Sequence, residues 1–92
     1  MHARLLGRYI TTAREQMHAL ATAATAADVA GMTALAHKLK SSSRSVGAML
    51  LGEICQQIET AGNAGEIEPC VALMAPLNAA FDAVSQRIDT SA

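Results

Sequence analysis

His37, Lys40, Ser41 and Arg44 stand at i, i+3, i+4 and i+7, so on a helix they share one face and set an imidazole among two cations and a hydroxyl. A neutral imidazole is a competent nucleophile at physiological pH, and a phosphoryl group on its nitrogen brings roughly two negative charges. Lys40 and Arg44 are placed to give such a group charge-assisted hydrogen bonds. Phosphoryl transfer relies mainly on in-line positioning and a metal ion, which a partner can supply, and the sequence shows neither a P-loop nor clustered metal-binding carboxylates. Back along the same face lie Thr33, Ala34 and Ala30, all small, so a partner's surface can reach the ring.

Spacing alone also admits plainer readings. A lone histidine on an amphipathic helix is usually an ordinary surface residue, and Lys40 and Arg44 read equally as solvated charges. Ser41, Ser42, Ser43 and Ser45 read equally as the early end of a helix, since serine prefers caps and turns. His2 and His18 read as surface residues, and the histidines lack the spacing of a metal site, so no metal is expected.

The elements that position these residues are helical. Leu6, Ile10, Ala13, Met17, Leu20 and Ala24 recur at steps of three and four, which predicts a first helix from Ala3 to Ala26. Asp28 is a candidate N-cap for a second, over about 29 to 45, striped by Val29, Met32, Ala36, Leu39, Ser43 and Val46 and ended by Gly47. A third stripe runs through Leu50 or Leu51, Ile54, Ile58 and Ala61, closed by Gly62-Asn63-Ala64-Gly65. A fourth runs through Cys70, Met74, Leu77, Phe81, Val84 and Ile88, with Pro69 expected as its first helical residue behind Glu66 and Glu68. Pro76 removes one backbone hydrogen bond from that helix, which predicts a kink near Ala72 to Pro76.

Four amphipathic segments on short connections bury their stripes only against one another, which predicts an all-α, antiparallel up-down-up-down four-helix bundle forming one domain over 1–92. A hairpin turning at Gly47 sets His37, ten residues earlier, level with about 57 to 59 on the third helix. Gln56 and Glu59 are the polar candidates there. Either one, accepting from one ring nitrogen, orients the imidazole and leaves the other nitrogen outward.

Composition narrows the partners. Apolar residues make up 51%, the only aromatics are Tyr9 and Phe81, and alanine dominates, which suits helices. Seven basic and eight acidic residues give a net charge of −1, so no global field draws the chain to nucleic acid or anionic lipid. Cys55 and Cys70 lie in apolar stretches and read as reduced core residues. Arg4 and Arg8 interrupt the N-terminal segment, and no run of about 18 apolar residues occurs, so a soluble, cytoplasmic monomer is expected.

The segment Ala36-His37-Lys38-Leu39-Lys40-Ser41-Ser42-Ser43-Arg44-Ser45-Val46-Gly47-Ala48 resembles the signature of histidine phosphotransfer (HPt) domains, approximately A-H-x-L-K-G-(S/A)-(S/A)-x-x-(L/V)-G-A. The resemblance extends more weakly through Leu51, Cys55, Ile58-Glu59 and the stripe from Phe81 to Ile88. It implies a four-helix bundle with His37 as exposed phosphoacceptor, Lys40 as phosphate-stabilising lysine, and Glu59 where relatives place the polar partner of the imidazole. It implies a phosphocarrier rather than an enzyme, taking a phosphoryl group from an aspartate of one response-regulator receiver domain and passing it to another in two-component signalling. No cofactor is expected on the chain, the Mg2+ being the receiver's. Ser41 departs from the pattern where the family prefers glycine, which narrows docking over Thr33, Ala34 and Ser41. The absence of an extra N-terminal helix found in some relatives favours a module of a hybrid sensor kinase, on the cytoplasmic side of a membrane-anchored protein. The alternative is a helical docking module that binds a signalling partner through the same face without transferring phosphate.

Overall fold

Alanine-rich amphipathic sequence becomes five helical segments: α1 (Ala3–Thr25), α2 (Val29–Ser45), α3 (Met49–Asn63), α4 (Ile67–Ala72) and α5 (Met74–Ser91). The computed structural model describes the backbone of residues 3–91 and the side chains of residues 6–87, and no strand occurs among them. His2 and the side chain of Ile88, expected at the surface and on the fourth stripe, lie outside the described residues.

The stripes read from the sequence supply most of the core, while Leu6 and Val29 from them stay half-buried outside it. Leu20, Met32, Leu39, Leu51, Ile58 and Leu77 are fully buried, and Ile10, Ala13, Met17, Ile54, Met74, Phe81 and Val84 pack with them. At the start of α3 the ambiguity resolves in favour of Leu51, whereas Leu50 is 67% exposed. Cys55 and Cys70 are free thiols inside this core. Polar links also join the helices: Tyr9 Oη and Ser43 Oγ, both buried, are 2.9 Å apart between α1 and α2, Arg14 donates to Ser85 Oγ between α1 and α5, and the Cys70 thiol donates to Ile58 O between α4 and α3.

Three connections use one device. After α1 the Asp28 amide bonds Ala23 O and the Ala27 amide bonds Ala24 O; after α2, Ala48 bonds Ser43 O and Gly47 bonds Arg44 O; after α3, Glu66 bonds Ala61 O and Gly65 bonds Gly62 O. These paired bonds close a helix around a left-handed residue and satisfy carbonyls the helix leaves unpaired. Gly47 and Gly65 take that position at φ 82° and 73°, where glycine has no Cβ to clash, but Ala27 takes it at φ 54°. Asp28 then caps α2, its side chain accepting from the Gly31 amide at 3.0 Å.

The fourth stripe breaks where Pro76 requires. Pro76 offers no N–H to Ala72 O, and α4 ends at Ala72, Leu73 turns, and α5 starts at Met74, with the Leu77 amide bonding Leu73 O at 3.0 Å. Pro69 stands at the third helical position, not the first, because α4 already starts at Ile67. Its missing N–H still falls in the first turn, where no intrahelical acceptor exists. Ile67–Arg87 has the length and mean hydropathy, 1.3, of a membrane span, yet Cys70, Leu77, Phe81 and Val84 from it pack into the core.

Candidate functional site

α2 packs most extensively on α3. Side chains meet in descending order along one helix and ascending order along the other: Arg44 lies on Gly52, Lys40 on Gln56, His37 on Glu59 and Thr33 on Gly62. The two helices therefore run in opposite directions, and the level expected for His37 on α3 is the one found. Gly52 and Gly62 make the approach possible. A Cβ at Gly52 would lie 2.9 Å from Arg44 Cγ, and one at Gly62 would fall on the Thr33 hydroxyl.

The His37 side chain is 62% exposed, and its Nδ1 is 3.1 Å from Glu59 Oε2. A carboxylate only accepts, so Nδ1 donates and the neutral ring keeps its lone pair on the outward Nε2. Glu59 is shared. Its Oε1 accepts from Lys40 Nζ at 2.7 Å, and this bond, with a smaller contribution from His37, holds its carboxyl below the usual range against the opposing effect of burial.

Lys40 is drawn into the groove, its side chain only 13% exposed. Besides Glu59 it donates to Gln56 Oε1 at 3.1 Å, and Gln56 Nε2 donates to Thr60 Oγ1 at 3.1 Å. Of the two candidates for the imidazole, Glu59 therefore meets the ring, while Gln56 meets the lysine. Arg44 is exposed and lays its stem across Gly52. Beneath it burial pushes the Cys55 thiol up to about 12, so this sulfur stays protonated and unreactive.

The expected docking residues divide. Ala34 and Ser41 are exposed, as is Ala30, whereas Thr33 is half-buried, its hydroxyl bonding Val29 O at 2.7 Å and packing against Gly62. The serine run stays helical to Ser45. Ser42 and Ser45 bond carbonyls of the preceding turn, and Ser43 turns inward to Tyr9. Sequence reasoning did not single out Thr60 or the Tyr9–Ser43 link. Thr60 stands four residues after Gln56, a spacing that signals a pair on one helical face. Among the described residues no group of three or more His, Cys, Asp or Glu side chains gathers as a metal site.

The described residues form a helical domain that displays the His37 imidazole to solvent and steadies it from the neighbouring helix through Glu59. The chain belongs to the Hpt domain family, whose model matches residues 4–87. It thereby has a histidine phosphotransfer role in two-component signalling, within a family of phosphocarriers that work with receiver domains. In fold it is similar to histidine-containing phosphotransfer protein B (HptB) from Pseudomonas aeruginosa PAO1, with TM-score 0.93 and 26% identity over 97% of this chain and 77% of that one. No curated protein sequence matches it.

Proposed function

We propose that His37 is the phosphoacceptor of a phosphorelay, taking a phosphoryl group from a receiver-domain aspartate and delivering it to the aspartate of a second receiver. The observation that carries this reading is the exposed imidazole whose Nδ1 is bonded to Glu59 beside the Lys40 ammonium. In the accepting step Nε2 attacks phosphorus, the Nε2–P bond forms, and the P–O bond breaks to release the receiver's carboxylate. The Nδ1 proton stays in the bond to Glu59, whose negative charge balances the ring as it becomes cationic. Lys40 is the phosphate-stabilising cation nearest the ring, with Arg44 a second, two helical turns along. The receiver supplies Mg2+ and most of the catalysis. Ala34 and Ser41 form the open docking surface around the histidine, and Thr33 borders it.

The helices are arranged as an up-down-up-down bundle, with α4 and α5 together as the bent fourth member. The domain works in the cytoplasm as a monomer and as the HPt module of a hybrid sensor kinase. The test mixes phosphorylated receiver with this chain. Acid-labile label on the wild type that disappears in His37→Gln supports the reading, whereas binding that survives His37→Gln with no phosphate taken up assigns a docking module instead.

A further inference from the structure

Neutralising the carboxylate that steadies His37 takes one bond from Lys40, yet Lys40 Nζ makes two, to Glu59 Oε1 at 2.7 Å and to Gln56 Oε1 at 3.1 Å. An ammonium has only donors, so the Gln56 atom facing it must be the amide oxygen. The amide nitrogen then points along α3 and donates to Thr60 Oγ1 at 3.1 Å. A flipped amide would turn its NH2 toward the ammonium and lose that bond, whereas the Thr60 hydroxyl can bond either end of the amide.

We propose that Gln56, its amide oriented by the Lys40 ammonium and its side chain steadied by Thr60, is a positioning residue for phosphoryl transfer that holds Lys40 in the groove and yields it to the phosphoryl group. The proposal rests on His37 being the phosphoacceptor. Without Gln56 a flexible lysine with one anchor has to be ordered as the phosphoryl group arrives; with it, that ordering is already done. Gln56 also suits release. Its oxygen is neutral and its bond is the longer of the two, so it is the partner Lys40 gives up when a dianionic group appears on Nε2, while Glu59 keeps its own. A carboxylate at position 56 would compete with the phosphoryl group for the same ammonium.

The test compares Gln56→Met, Gln56→Glu, Thr60→Val and Thr60→Ser with the wild type by two readouts. One is the ordering of the Lys40 side chain by 15Nζ relaxation in the unphosphorylated protein. The other is phosphoryl uptake against concentration of phosphorylated receiver. In Gln56→Met we expect a mobile Lys40 and a maximal uptake rate lowered on the order of tenfold, the scale of one hydrogen bond to a charged group, at unchanged half-saturation. Thr60→Val moves both readouts the same way by less, and Thr60→Ser restores them. Gln56→Glu keeps Lys40 ordered and still slows uptake. The His37 Nδ1–H signal, set by Glu59, stays at its wild-type position in all four and reports an intact site. An unchanged Lys40 in Gln56→Met, or a wild-type uptake rate there, overturns the proposal. A wild type that accepts no phosphoryl group sinks the reading of His37 instead, and the proposed transfer role of Gln56 with it, whereas the relaxation data still decide whether Gln56 orders the lysine.

Discussion

Nδ1 of His37 and Oε2 of Glu59 stand 3.1 Å apart across the seam between α2 and α3, joining residues 22 positions apart in the chain. The bond decides which ring nitrogen carries the proton, and so which is free to attack. Glu59→Ala removes that decision. The expected outcome is phosphoryl uptake slowed about tenfold, the scale of one charge-assisted hydrogen bond, with 15N shifts showing part of the ring in the Nε2–H form. An unaltered tautomer in the variant would refute the assignment.

Stability should depend on pH through the same carboxylate. Lys40 holds the folded-state pKa of Glu59 below its ordinary value of 4.5, so the stabilisation is fully present above that value and is lost as pH falls through the lower, folded one. Lys40→Met therefore destabilises at pH 7, by about 1 kcal/mol for a partly exposed pair, and the gap from wild type narrows as pH drops below the ordinary carboxylate range. Urea titrations at pH 7 and at pH 3 measure it. A gap that stays constant would mean that the pair contributes nothing to folding.

Gly62 fixes how closely the helices that hold the site approach. Gly62→Ala puts a methyl group on the Thr33 hydroxyl and 3.0 Å from its Cβ. The expected loss is about 1–3 kcal/mol, typical of overpacking, and Thr33→Ala in the same chain should recover part of it. Denaturation of the two single variants and the double variant gives the coupling, and strict additivity would show that the two residues do not meet.

Ala27 performs a glycine's task at φ 54°. Ala27→Gly is expected to stabilise the fold by about 0.5–1 kcal/mol, raising Tm by roughly 2–8 °C for a domain of this size, with phosphoryl uptake unchanged. A lower Tm would show that the turn tolerates alanine without strain.

The parts of the architecture that follow from periodicity were legible in the sequence. The apolar stripes, the turn at Gly47 and the kink that Pro76 imposes depend on spacing and on one residue's covalent chemistry, and each is found where those dictate. The level of Glu59 opposite His37 follows from counting back from the turn. Which polar atom pairs with which did not follow, because that depends on how far each helix is rotated about its own axis, and stripes of three to four residues leave tens of degrees open. Gln56 and Glu59 were equivalent by level, and the packing gave one to the lysine and the other to the ring. The same rotation turned Thr33 into the seam and laid Arg44 over Gly52, an arrangement that rests on Gly52, whose sequence context looks like ordinary helix interior, and on Gly62, which reads in the sequence as part of the closing turn but lies inside α3 against Thr33.

The closure of Glu59 upon Lys40 at 2.7 Å also shapes how a partner first senses this surface. Opposite unit charges held so close nearly cancel beyond a Debye length of about 8 Å, and the whole chain adds a net charge of only −1. Such a molecule has little electrostatic reach with which to draw one receiver from solution ahead of another. Discrimination is left to fit after collision, and encounter rates should change little between dilute and physiological salt.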